Sequence, residues 1–435
     1  MTDTPDGPRP TKTGGGLAAA LRPALDAGRV TWIANPMSAV DRDAAVDGVL
    51  SDGERQVVLT EVDQATLDTA IGRVANEQLW FLHHGMTDLA RPSTDDEWHA
   101  FLELQEAMAS TVASVAPADA LVLVQDYHLP LVARSLKERR PDLRAVHFSH
   151  TPFADPASLA HLGTTRAQLL LEGMAAHVAC GFHSTRWAEH HSACATEFGR
   201  AATTSFVAPI APDLARVRRI AASPDVRAMV EADRERLGDR HRIVRVDRLE
   251  PTKNILRGFD ALDRLLELHP ELRGDVVMRA FAYPSRSSLE VYRRLDHDVR
   301  ERAAALNQRW ATDDWAPLEL DLRDDLDAAV AAMVDHDVLL VNPVTDGLNL
   351  VAFEGIAVAE RHGSLVLSET AGAHDLLGEV ADSIDPLDVD GTAAALHRAI
   401  TRSSDERRQR AEQARAIAAS LDIDGWIDRQ VEAAR

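Results

Sequence analysis

The sequence predicts an α/β protein built from two doubly wound, Rossmann-like domains in tandem, and three observations predict it. Short apolar runs alternate with segments of helical spacing along most of the chain, the pattern of βα units and parallel sheets. The runs fall into two series, separated by a polar, charge-rich segment at 211–240. At 435 residues the chain has room for two domains, each with its own core. The expected division is 1–210, a connection over 211–240, a second domain over 241–402, and C-terminal helices over 403–435.

Taken in order, residues 1–16 are rich in Pro, Gly and Thr and read as a mobile segment. The first series of strands is expected near 29–34, 56–62, 120–126, 144–150, 177–183 and 204–210. The second is expected at 241–248, 275–282, 318–323, 337–343 and 364–370. A near-continuous apolar run, as in DVLLV, marks a buried parallel strand. From about 403 onward, Arg, Glu and Ala at helical spacing predict amphipathic helices, with Trp426 and Ile427 anchoring the last one.

Composition narrows the function classes. Hydrophobic residues at 45% and charged residues at 27% fit a globular chain. Lys and Arg number 47 against 69 Asp and Glu, so the net charge is −22. That balance argues against general nucleic-acid or anionic-membrane binding, where a basic face is expected. Two cysteines, Cys180 and Cys194, form neither a disulfide framework nor a metal-ligand spacing. No apolar stretch approaches the roughly 20 residues of a membrane span, and the N-terminus lacks a signal-peptide core. The expected location is cytoplasmic.

The stretch DVLLVNPVTDGLNLVAFE (337–354) reads as a buried strand, a Gly-bearing loop and a helix start. A helix start of this kind can offer backbone N–H groups to an anion. Asp346 and Gly347 lie in the loop, and Glu354 follows within the helix. By itself this is ordinary strand–loop–helix chemistry. The second domain opens with VRVDRLEPTKN, where Arg248 ends a strand and Lys253 follows across a turn. A forked guanidinium and a point ammonium together suit a diphosphate. In the first domain, VQDYHLP and HFSHTPF set Asp126, Tyr127 and His150 at successive strand ends, where groups converge on one site. GGGL (14–17) lets backbone approach a phosphate but satisfies neither nucleotide-binding fingerprint. QLWFLHH, with Trp80, and AYPSR, with Arg286, read equally as a sugar wall and a phosphate fork or as core and loop. No Ser-His-Asp triad, zinc motif or glycosidase carboxylate pair stands out.

Taken together and in order, GGGL, QLWFLHH, VQDYHL, HFSHTPF, GFHSTRW, VRVDRLEPTKN, AFAYPSR, DGLNLVAFEG and LVLSETAGA resemble the trehalose-6-phosphate synthase family of retaining glycosyltransferases. The resemblance runs from about residue 14 to about 390 and implies the GT-B fold, two Rossmann-like domains facing each other across a cleft. It implies that Arg248 and Lys253 bind the donor diphosphate and Glu354 the nucleotide ribose. Asp346, Gly347, Asn349 and Leu350 would hold the donor sugar and phosphates, with Gly15, Gly16 and Leu17 closing over them. His150 would contact the donor sugar near the reacting carbon. Asp126, Tyr127, Trp80 and Arg286 would face the acceptor, Arg286 on its phosphate. The first domain would thus serve the acceptor and the second the nucleotide-sugar donor. The implied partners are small molecules, UDP- or GDP-glucose and a sugar phosphate such as glucose 6-phosphate, with no cofactor and no metal. The oligomeric state is open, a homo-oligomer included.

Two departures from the family pattern bear on this. The family begins with an apolar strand ending in a Ser-Asn-Arg-like turn, and nothing before Gly14 reads as that strand. The expectation is that the natural start lies upstream of Met1. In addition, Phe353 stands where synthases usually carry Lys, and with LSET at 367–370 it is similar to the pseudo-glycosyltransferase of validamycin biosynthesis. That relative joins a nucleotide-activated cyclitol to an amino-cyclitol phosphate, which is the alternative reading. A non-catalytic sugar-nucleotide-binding relative is the third.

Overall fold

The computed structural model describes residues 30–36, 38–45, 47–52 and 55–435. The loop carrying Gly15, Gly16 and Leu17 lies outside the described residues, as does the segment preceding Gly14. The chain divides into two compact units, one of Met1–Ile210 with Ile423–Arg435 and one of Ala211–Asp422.

In the first unit, β1 (Trp32–Ala34), β2 (Val49–Asp52) and β3 (Arg55–Leu59) form a small sheet in the order β1-β3-β2. The β2–β3 pair is antiparallel. Four parallel strands, β4 (Leu121–Gln125), β5 (Arg144–Ser149), β6 (Ala179–Phe182) and β7 (Ser205–Val207), follow one another across a second sheet. β6 is buried along its whole length, and so is β5 after Arg144, as sequences apolar on both faces require. Helix Asp95–Val115 starts with a capping box between Thr94 and Glu97, which satisfies two of the amides a helix start leaves open. Its buried Met108, Ala109 and Val112 pack with Val124 and Ala145 of the sheet. The final helix, Ile423–Ala433, belongs to this unit: the Trp426 ring lies 5.0 Å from Phe148 of β5, edge to face.

The second unit holds one six-stranded parallel sheet. Its strands are β8 (His241–Leu249), β9 (Val276–Pro284), β10 (Leu318–Asp321), β11 (Val338–Val341), β12 (Ser364–Ser368) and β13 (Asp382–Ile384), in the order β10-β9-β8-β11-β12-β13. The chain therefore winds outward from β8 in one direction, returns to β8 with β11, and winds outward in the other. The β8–β11 junction is the topological switch point, beside which ligands bind in open α/β sheets. The core below it draws on Ile243, Phe259, Leu262, Met278, Leu340 and Val366. Segment 211–240, read as a connection, contains the helices Leu214–Ala221 and Pro224–Leu237 and falls within this unit. Both cysteines are buried. Among the described residues no helix is long and apolar enough to cross a membrane.

Candidate active site

In the second unit the predicted residues gather at the carboxyl ends of β8, β11 and β12. Arg248 ends β8 with its side chain 39% exposed, and its Nη1 donates to Glu250 Oε1 at 2.9 Å. Glu250 is itself fully buried and also accepts from Ser285 Oγ at 3.1 Å. Lys253 closes the turn Pro251–Lys253. The buried Arg245 holds that turn: its guanidinium donates to Asp247 Oδ2 at 2.8 and 3.0 Å and to the Lys253 carbonyl at 2.9 Å. Gly258 makes room for it, since a Cβ there would meet Arg245 Nη1 at 2.2 Å. Lys253 Nζ reaches Asp346 Oδ2, across the switch point, at 2.5 Å. Asn349 Nδ2 donates to the same oxygen at 3.1 Å.

The loop bearing Asp346 and Gly347 is braced by the one after β12. Gly372 N donates to Asp346 O, Ala373 N to Leu348 O, and Thr370 Oγ1 to Val344 O at 2.6 Å. A Cβ on Gly372 would stand 1.9 Å from Gly347 O, so this approach requires glycine. Asn349 takes φ 77°, turning the chain into helix Val351–Val358. The first amides of such a helix have no partner within it and carry partial positive charge. Leu350 precedes that start and makes no side-chain capping hydrogen bond.

The electrostatics keep the Lys253 ammonium charged. Burial opposes the Lys253 ammonium, but the carboxylates of Asp346 and Asp247 outweigh it and hold its pKa above the ordinary lysine value. Burial pushes the Glu354 carboxyl up to about 7, against the pull of Arg216. Arg286, at φ 45°, also lies in this unit and donates from Nη1 to Tyr292 Oη at 2.9 Å. Phe353, the departure noted in the sequence, is fully buried.

In the first unit the carboxyl ends of β4, β5 and β6 bring together Asp126, His150 and His183. Asp126, at φ 70°, accepts from the His150 amide through Oδ1 at 3.1 Å. His150 Nε2 lies 2.9 Å from Gln125 Oε1 and its Nδ1 3.2 Å from His183 Nε2. Both ring nitrogens are thus engaged within the unit. Burial, reinforced by His183 and His147, holds the His150 pKa well below the usual imidazole value. Tyr127 is 3% exposed and donates from Oη to Asn76 Oδ1 at 2.8 Å. Trp80, 6% exposed, packs 5.6 Å from the Tyr127 ring. The two therefore form a buried aromatic layer behind the strand ends.

Sequence reading assigned no role to Glu250, Arg245, Gln125, His183 or Gln430. Glu250, Arg245, Gln125 and His183 all sit within the strand-end motifs, so their positions were a usable signal. Gln430, which accepts from Gln125 Nε2 at 3.2 Å, lies 305 residues away in sequence and carried none. Among the described residues, His269, Glu271 and His397 could hold a metal ion by spacing. They lie at the far end of helix Ile255–Leu268, about 20 Å from Lys253 at 1.5 Å per residue, and the two imidazoles stack 3.6 Å apart at 9°. Rings so parallel do not aim two lone pairs at one ion.

Comparisons with known proteins bear on the family and the fold. The sequence model of glycosyltransferase family 20 matches residues 8–435. The trehalose-6-phosphate synthase of Mycobacterium leprae (strain TN) is 30% identical over 443 residues, 95% of this chain and 87% of that protein. The bifunctional trehalose-6-phosphate synthase/phosphatase of Thermoproteus tenax is 32% identical over 357 residues, 78% of this chain. The match spans about half of that longer relative, 48% of its length. Among solved structures, the alpha,alpha-trehalose-phosphate synthase (UDP-forming) of Burkholderia vietnamiensis superposes with a TM-score of 0.86 at 28% identity, covering 96% of this chain and 95% of its own. The E. coli protein bound with UDP-2-fluoro glucose gives 0.87 at 26% identity, covering 98% and 96%. The chain has the GT-B fold of these structures and belongs to glycosyltransferase family 20.

Proposed function

We propose that this protein is a retaining glycosyltransferase that moves a glucosyl unit from UDP-glucose to glucose 6-phosphate, giving trehalose 6-phosphate. The observation that carries the reading is the pairing of Lys253 with Asp346 across the β8–β11 switch point, beside Arg248 and its partner Glu250. Two cations and a helix start meet there, where a leaving diphosphate needs its growing charge offset. The name of the similar Burkholderia vietnamiensis enzyme, a UDP-forming synthase, supports the choice of donor, and that of the Mycobacterium leprae enzyme supports the product.

In this reading Lys253 shares its ammonium between Asp346 and the β-phosphate, while Arg248 forks the diphosphate from the side held by Glu250. Glu354 accepts from the ribose hydroxyls. Asp126 lies at the acceptor side of the first unit. The acceptor hydroxyl enters on the face the diphosphate leaves, and a departing phosphate oxygen takes its proton. No enzyme nucleophile is needed, and the protein contributes positioning and electrostatics. The charge work falls to side chains, so we assign the reaction no metal cofactor. Phe353 is fully buried, so its side chain offers the cyclitol-coupling alternative no exposed contact surface.

The test is incubation with UDP-glucose and glucose 6-phosphate in buffer containing EDTA. Equal yields of UDP and trehalose 6-phosphate are expected. UDP-glucose binding with turnover only when an amino-cyclitol phosphate is supplied would overturn the reading in favour of the alternative.

A further inference from the structure

We propose that Gln125, His183 and Gln430 are positioning residues that hold His150 as a neutral imidazole protonated on Nε2. Its consequence for turnover rests on the glycosyltransferase reading above, but the tautomer itself does not.

The hydrogen-bond directions follow from one fixed donor. The Ile210 amide donates to His183 Nδ1 at 3.3 Å, and a backbone N–H can only donate. His183 Nδ1 is therefore an acceptor, and its proton sits on Nε2. That proton points at His150 Nδ1, 3.2 Å away, which must accept it. The His150 proton is then on Nε2 and goes to Gln125 Oε1 at 2.9 Å. Gln125 Nε2 passes the same polarity to Gln430 Oε1 at 3.2 Å. Ile210 is the last residue before the chain leaves the first unit, and Gln430 lies on the helix that returns to it. His150 is thus fastened from both of the unit's crossing points.

Packing alone does not account for this chain of polar groups. Gln430 is fully buried and its Nε2 has no hydrogen-bond partner, and the same is true of Trp426 Nε1. A half-satisfied buried network is less stable than an apolar filling of equal volume. The Trp426 ring, 5.7 Å from the imidazole, closes the remaining side. The titratable groups around His150 include Asp126 at the end of β4, His147 on β5 and His183 after β6; the C-terminal helix brings Trp426 and Gln430 to this contact. Of these, Asp126 spends Oδ1 on the His150 amide rather than on its ring.

The chemistry explains the arrangement. Glycosyl transfer passes through an oxocarbenium-like state, so positive charge develops at the sugar carbon. An imidazolium beside that carbon would oppose it. With Nδ1 accepting from His183 and Nε2 donating to Gln125, no lone pair is left to take up a proton.

Nitrogen-15 spectroscopy of the histidine-labelled full chain tests the proposal, with His150 assigned by loss of its signals in His150→Gln. From pH 6 to 8, one neutral, Nε2-protonated state is expected, and an Nδ1-protonated or doubly protonated ring at pH 7 would overturn the proposal. Gln125→Leu removes the acceptor and should release that tautomer while lowering kcat roughly tenfold to a hundredfold, with the donor KM within about twofold. Gln125→Glu keeps an acceptor, and Gln430 can turn its unpartnered amide toward the new carboxylate. That variant should recover the tautomer and move the acid limb of the kcat profile to higher pH. An unchanged ring signal and kcat in Gln125→Leu would contradict the positioning role. If the wild type turns over no UDP-glucose, the proposed function fails, and the ring signal still decides this inference by itself.

Discussion

The two units solve the same placement problem with opposite electrostatics. Both put their candidate residues at the carboxyl ends of parallel strands. In the second unit those residues are charges held in pairs, Arg248 with Glu250 and Lys253 with Asp346. In the first, Asp126 apart, they are neutral rings and amides. Burial holds the His83 pKa down to about 3, the His177 and His191 pKa values down to about 4, and those of His147 and His150 well below the ordinary value. On the proposed function, the difference matches what each unit would meet. A diphosphate needs permanent positive charge kept ready by carboxylate partners, whereas a sugar approaching a cationic transition state is better met by uncharged groups.

The sharpest way to break this contrast is to remove a charge from the second unit. Arg248→Ala should lower kcat by about 10²–10³, the loss expected for one preorganised charge donor. A rise in KM alone, with kcat intact, would remove Arg248 from leaving-group stabilisation. A smaller change at Gly372 perturbs geometry and leaves the charges in place. Gly372→Ala forces the Asp346 loop away from its brace and should cost about 1–3 kcal/mol in chemical denaturation, as overpacking does. A stability equal to wild type would mean that the two loops do not need their close approach.

The buried imidazoles give the first unit its own signature. For His83, His177 and His191 the folded pKa lies below the unfolded value of 6.5, so the unfolded chain binds protons first as pH falls. Stability from each is fully present above pH 6.5 and is lost toward pH 4, by up to about 1.4 kcal/mol per pH unit. Hydrogen-exchange protection of β5 and β6 should therefore decline between pH 6.5 and 5, and His191→Asn should flatten the decline. Protection independent of pH would contradict neutral burial. Glu354 runs the other way. Its folded pKa is raised to about 7, so its contribution to stability is present below about 4.5 and lost as pH rises through 7. Because ribose hydroxyls bind the ionised form better, UDP affinity should weaken below pH 7 by at most about tenfold per unit. Glu354→Gln should abolish that dependence, and a pH-independent wild type would separate Glu354 from the nucleotide.

Much of this was legible because strand ends are written locally. The runs ending at Gln125, Ser149, Leu249 and Val341 fall where sequence spacing placed them, and the loops after them carry the predicted residues. β2 and β13 were missed, being four and three residues long, with polar Ser51–Asp52 and Asp382–Ser383 in them. Burial was harder to read. The sequence left Trp80 open between sugar wall and core; in the fold its ring packs on that of Tyr127, whose hydroxyl donates to Asn76. The partnership of Gln430 with Gln125 depends on the chain returning after Asp422, and a long-range closure of that kind leaves no trace in local spacing.

Titrating UDP into the wild type, Arg248→Ala, Lys253→Met and His150→Gln by calorimetry tests the division most directly. Binding should weaken at least about tenfold in both second-unit variants, as for loss of a charge-assisted hydrogen bond of roughly 1.5–3 kcal/mol, and stay within about twofold in His150→Gln. UDP affinity that falls as far in His150→Gln as in Arg248→Ala would contradict it.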